Sequence, residues 1–180
     1  MTRRPLTWVL VAVLAVGAGV GLYWFAPWRL FTDTTVREAL TATDAPTAGP
    51  TAGPAASSVT GPAATAVVVA RGAFVAHEHD TSGSVRVVRL ADGTHRLEIE
   101  GLDTSDGPDL RVWLTDQAVV TGKAGWQVFD DGRYVELGRL KGNKGDQVYP
   151  IPASADLAGL RSVTIWCKRF SVSFGAAQLA

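Results

Sequence analysis

The chain is expected to be all-β, an antiparallel β-sandwich of about eight strands preceded by one transmembrane helix and a disordered stalk. Three observations carry this expectation. No charge interrupts Leu6 to Ala26. From about Thr41 to Ala66 the chain is almost wholly Thr, Ala, Pro, Gly, Ser and Val. Beyond Val67, short alternating segments recur between turn signals with no helical crossovers, which suits an antiparallel sandwich or barrel.

The first segment, 1–30, reads as a cytoplasmic amino terminus and an anchor. At ~1.5 Å per residue the uncharged run makes a helix of about 31 Å, enough to cross a bilayer core. A signal peptide would be shorter and would end in small residues. Here the run ends in "YWFAPW", whose rings suit the headgroup boundary and whose Pro27 stops a helix. Arg3 and Arg4 precede the run, whereas Arg29 and Arg37 beyond it are accompanied by Asp33 and Glu38. That bias favours an amino terminus inside and a carboxyl-terminal domain outside the cytoplasm. Membrane attachment through this helix is the first expected partnership. Gly17 and Gly21 form a GxxxG pair, so a weak homodimer is the second.

Residues 31–66 are expected to be a Thr/Ala/Pro/Gly-rich stalk, with "TAGPTAGP" as a local duplication. The remaining segment, 67–180, has the size of one domain. Of 17 Lys and Arg, four lie before it, leaving 13; of 17 Asp and Glu, three lie before it, leaving 14. This balance argues against nucleic-acid binding.

Within that domain, "VVVARGAFV", "SVRVVRLA", "HRLEIEGL", "DLRVWLT", "RYVELGRL", "DQVYPIP", "SVTIWCK" and "FSVSF" read as strands, and "SADLAGLRS" as a short helix capped by Ser154. Alternation turns Leu110, Val112 and Leu114 inward and Arg111, Trp113 and Thr115 outward. By the same rule Val163, Ile165 and Cys167 face the core while Thr164, Trp166 and Lys168 face away. Phe170, Val172 and Phe174 continue the inward set on a neighbouring strand. "KGNKGD" lacks the spacing of a phosphate loop and reads as a hairpin turn. No nucleophile elbow and no identifiable carboxylate pair supports a hydrolase.

Four stretches in order, "RGAFVAHEHDTSGSVRV", "SDGPDLRVWLT", "LGRLKGNKGDQVYPIP" and "SVTIWCKRFSVSFGAAQL", resemble the DM-thirteen domain family, an extracellular β-rich module associated with electron transfer. The resemblance spans roughly Gly72 to Leu179. It implies a redox role for the cysteine matched by Cys167, with His79 in "HDTSG" and Gly107 to Leu110 matching further family positions. In larger family members the module occurs beside DOMON and cytochrome-type membrane domains, so a separate redox protein is the partner the resemblance implies.

Three chemistries compete. Cys167, the sole cysteine, is either a small core residue or a redox group. His77 and His79, two apart on a strand, share a face and could chelate copper, zinc or a haem iron, or serve Cys167 as helper or ligand; the metal is left open. Trp113, Trp126 and Trp166 are either covered by loops or neighbouring strands, or form an exposed platform. The platform would make the domain a noncatalytic cell-surface binding or adhesion module for envelope glycan or protein.

Overall fold

A computed structural model describes residues 3–42 and 66–180. Helix α1, Arg3–Phe25, is long and apolar enough to cross a membrane, and its side chains from Thr7 onward are almost all exposed. Ala26 ends it in the left-handed region (φ 44°), and Pro27 opens a 3-10 turn, Pro27–Phe31. The chain then forms nine strands: β1 Thr35–Arg37, β2 Val67–Ala76, β3 Ser82–Arg89, β4 His95–Asp103, β5 Leu110–Thr115, β6 Tyr134–Arg139, β7 Lys144–Ile151, β8 Ser162–Cys167 and β9 Val172–Gln178.

The strands form one curled sheet in the order β1-β7-β4-β3-β2-β9-β8-β5-β6. Strand β2 joins its two halves, pairing through 67–73 with β3 and through 74–76 with β9. All pairs are antiparallel except β1 with β7. Between the halves lies a core that includes Val85, Leu97, Ile99, Val112, Leu114, Val163 and Ile165. Each such side chain, fully buried, is worth about 1.5–3 kcal/mol against exposure. Each of the eight segments expected as strands contains a strand, the last of them only from Val172 onward.

Four expectations need correction. "SADLAGLRS" is a run of turns, with Ala155 N–H donating to the Pro152 carbonyl and Gly159 N–H to Asp156. Nine residues interrupted by Gly159 offer too little propagation to repay helix nucleation. Phe170 lies in the β8–β9 turn, 39% exposed, because β8 ends at Cys167 and β9 begins only at Val172. The outward faces of β5 and β8 are covered: Trp113 and Trp166 pack with Phe129 of the 116–133 connection, Thr115 donates to the Phe129 carbonyl, and Thr164 is buried against Ser173.

The fourth concerns the segment expected to be the start of a stalk, since residues 33–42 strap onto the sheet. β1 pairs with β7, Glu38 meets Lys141 Nζ at 2.8 Å, and Asn143 donates to Asp33 at 2.7 Å. The rest of the expected stalk, 43–65, lies outside the described residues.

Candidate functional site

Cys167 ends β8, opposite Leu110 of β5 and Val172 of β9. A four-residue turn, 168–171, closes the hairpin, with Ser171 in the left-handed region (φ 50°) and Phe170 N–H donating to the Cys167 carbonyl at 3.2 Å. The thiol is fully buried, as strand parity requires. Burial pushes its pKa up; the backbone N–H groups of Phe170, Arg169 and Asp109 oppose this, and the Glu78 charge adds to the rise. At neutral pH the group is therefore a protonated thiol rather than a nucleophilic thiolate. Lys168 gives no help, because its ammonium turns to Glu136 at 3.2 Å.

The two histidines do not share a face. β2 ends at Ala76, so His77 and His79 occupy the connection to β3 rather than an extended strand. His77 is buried, with Nδ1 2.8 Å from Ser173 Oγ and Nε2 3.1 Å from the Val120 carbonyl. A carbonyl only accepts, so Nε2 carries the hydrogen and Nδ1 accepts from Ser173. Thr164 Oγ1, 2.8 Å from Ser173 Oγ, extends the network. With both nitrogens engaged, His77 is a structural tie and not half of a chelate.

His79 instead lies over Phe174, ring centroids 3.9 Å apart, and lines a cavity of about 350 Å³. Phe25, Ala26, Pro27, Gly107, Pro108, Phe170 and Phe174 supply its apolar walls, and Arg29, Glu78 and Asp106 its charged rim. The left-handed turn at Ala26 folds the chain back, so that Arg29 donates to the Gly107 carbonyl at 3.1 Å and meets Asp106 at 3.5 Å. Phe25 stacks on Phe170, centroids 5.8 Å apart. Cys167 sits at the same end of the sheet, between Asp109 and the turn that carries Phe170.

The motif residues around this cavity have packing reasons. A Cβ on Gly107 would come within 3.0 Å of Phe174 Cζ, and one on Gly175 within 2.6 Å of Thr81 Cβ. Thr81 donates to the Phe174 carbonyl at 3.0 Å or to Thr104 Oγ1 at 2.8 Å, pinning the connection that carries His79 to β9.

Among the described residues no group of three His, Cys, Asp or Glu side chains is placed to hold a metal ion. His77, His79 and Cys167 thus do not come together as a three-ligand copper or zinc site. The tryptophans do not fit a platform either. Trp113 and Trp166 are 2% and 1% exposed, their centroids 5.1 Å apart and packed with Phe129; Trp126 is half-buried, its indole N–H buried without an acceptor.

Residue-type reasoning missed Arg29, Asp106 and the aromatic walls of the cavity, since they come from four separated segments. The one available signal was the aromatic run ending at Pro27. It also missed Glu98, a fully buried carboxylate held by Arg86 at 2.6 Å, Arg96 at 2.7 Å and the Thr41 backbone N–H at 3.0 Å. With Arg86, Arg96 and Thr41 all bonded to its carboxylate, Glu98 is structural.

Comparison with the curated proteins and with the solved structures gave no match. A family model described as Electron transfer DM13 matches residues 73–179, from the end of β2 through β9, and the chain belongs to that family.

Proposed function

We propose that the chain is a single-pass membrane protein whose β domain works outside the cytoplasm in redox or electron transfer, with Cys167 as the active group and His79 as its helper. The observation that carries this reading is the placement of Cys167 and His79 at the end of the sheet that meets α1, within a domain of an electron-transfer family. The apolar length of α1, its basic start and its aromatic exit support an uncleaved anchor.

Burial narrows the chemistry. A protonated thiol out of reach of water and of a second sulfur is unsuited to disulfide exchange. One-electron oxidation of Cys167 breaks the S–H bond, sends the electron to a separate haem or metal carrier protein and the proton to a base, for which His79 is the candidate. The thiyl radical left behind is shielded by the same burial.

The test is protein-film voltammetry on the full chain in a supported bilayer. A reversible one-electron wave that disappears in Cys167→Ser supports the reading. A chain with no wave, or with a wave that survives Cys167→Ser, sinks it.

A further inference from the structure

We propose that the cavity between the end of α1 and the domain binds the headgroup of a lipid-soluble quinone. This rests on the reading of α1 as a membrane anchor.

The walls select a flat, apolar ring. Three phenyl rings, Phe25, Phe170 and Phe174, together with Pro27 and Pro108, surround about 350 Å³, within the range of small-molecule sites. Phe25 already stacks on Phe170, and His79 on Phe174, so aromatic surfaces line the space from two sides.

The rim selects a neutral ligand with hydrogen-bonding edges. Two carboxylates, Glu78 and Asp106, outnumber one guanidinium, and that guanidinium is spent on Asp106 and the Gly107 carbonyl. A lipid phosphate would therefore meet net negative charge. A quinone carbonyl can instead accept from the imidazole of His79, and a quinol hydroxyl can donate to it or to Glu78.

Position selects a ligand that arrives from the bilayer. Phe25 is the last residue of α1, and exposed Trp24, Trp28 and Phe31 flank it in the manner of an interfacial belt. Arg169 stacks over Trp24 with its guanidinium carbon 5.4 Å from the ring, holding the β8–β9 turn at that level. An isoprenoid tail can thus stay in hydrocarbon beside Phe25 while the ring enters between Phe170 and Phe174.

The experiment uses the full chain in phosphatidylcholine nanodiscs and a photoreactive azidobenzoquinone, with unlabelled short-tailed benzoquinone as competitor. Labelling mapped to the peptides carrying His79, Phe170 or Phe174 and removed by the competitor is expected. The competitor's affinity should fall about tenfold in Phe170→Ala and in His79→Ala, and stay unchanged in Arg133→Ala, a residue outside the cavity that pairs with Asp116 and Asp156. Phe170 is an exposed turn residue, so Phe170→Ala decides the matter should His79→Ala fail to fold.

Labelling that does not saturate, affinity unmoved by Phe170→Ala, or displacement by anionic phospholipid but not by benzoquinone would overturn the proposal. Sedimentation with vesicles tests the anchor on its own: a chain that stays in solution yet shows competed labelling refutes the anchor and upholds the cavity. The voltammetric wave of Cys167 is a separate readout, so redox role and quinone site can fail independently.

Discussion

His77 shows how a side chain that could serve chemistry is committed to structure. Burial holds its pKa below the usual imidazole value, against the opposing effect of the Val120 carbonyl. The unfolded chain therefore binds the proton first as pH falls below about 6.5. Stability is complete above that point and is lost as pH drops through the lowered folded value, with a slope of at most about 1.4 kcal/mol per pH unit. Urea midpoints between about pH 7.5 and pH 5.5 should fall in the native chain and flatten in His77→Asn; equal slopes would show that the ring titrates freely. Strand parity read Cys167 correctly because its strand is regular to its last residue. It misread His77 and His79 because β2 stops one residue before them, and nothing in "HEHD" marks that stop.

The strap of residues 33–42 is the element that composition concealed. It adds β1 to the edge of β7, and it completes the coordination of Glu98 through Thr41, whose hydroxyl also meets Arg96. Burial alone would push Glu98 up; hydrogen bonds from Thr41 and Arg86, with the Arg86 charge, bring its pKa below the usual carboxylate value. Its folded-state stabilisation is thus present above the ordinary Glu pKa and lost as pH falls through the lowered one. Glu98→Ala, which strands two arginines, should cost about 3–5 kcal/mol in urea unfolding, and a loss below about 1 kcal/mol would mean that solvent replaces the carboxylate. The strap also explains "KGNKGD". A Cβ on Gly142 would collide with the Thr34 carbonyl and come within 2.8 Å of Val36 Cγ2, and Gly145 (φ 93°) lies against the Val36 carbonyl. Gly142→Ala is therefore expected to speed amide exchange at residues 34–38 while leaving that of β8 unchanged; uniform acceleration would indicate global destabilisation instead. The eight domain strands were legible because each alternates between turn residues. The ninth is three residues long and precedes a low-complexity segment, so only its partner strand identifies it.

At the scale of the whole molecule, the question is whether helix and domain move as one. Among the described residues the contacts that join them are concentrated: Arg169 donates to the Trp24 carbonyl and stacks on its ring, Phe25 stacks on Phe170, and Arg29 reaches Gly107 and Asp106. Ala26, in its left-handed conformation, is buried by this arrangement, so the bend itself is part of the interface. Aromatic and cation–π contacts of this kind are each worth about 0.5–1.5 kcal/mol, enough together to favour one orientation and small enough for a single substitution to release it. Arg169→Ala removes both the cation over Trp24 and the donor to its carbonyl. On a Cys167→Ser background, spin labels at Val13 and Val120 should report one narrow distance in the bilayer, and Arg169→Ala should broaden it severalfold while the unfolding free energy of the domain changes by less than about 0.5 kcal/mol. A distribution equally broad without the substitution would show that the domain swings freely on α1. In that case the cavity beside His79 would exist only transiently, and any chemistry at Cys167 would have to proceed without a fixed relation to α1.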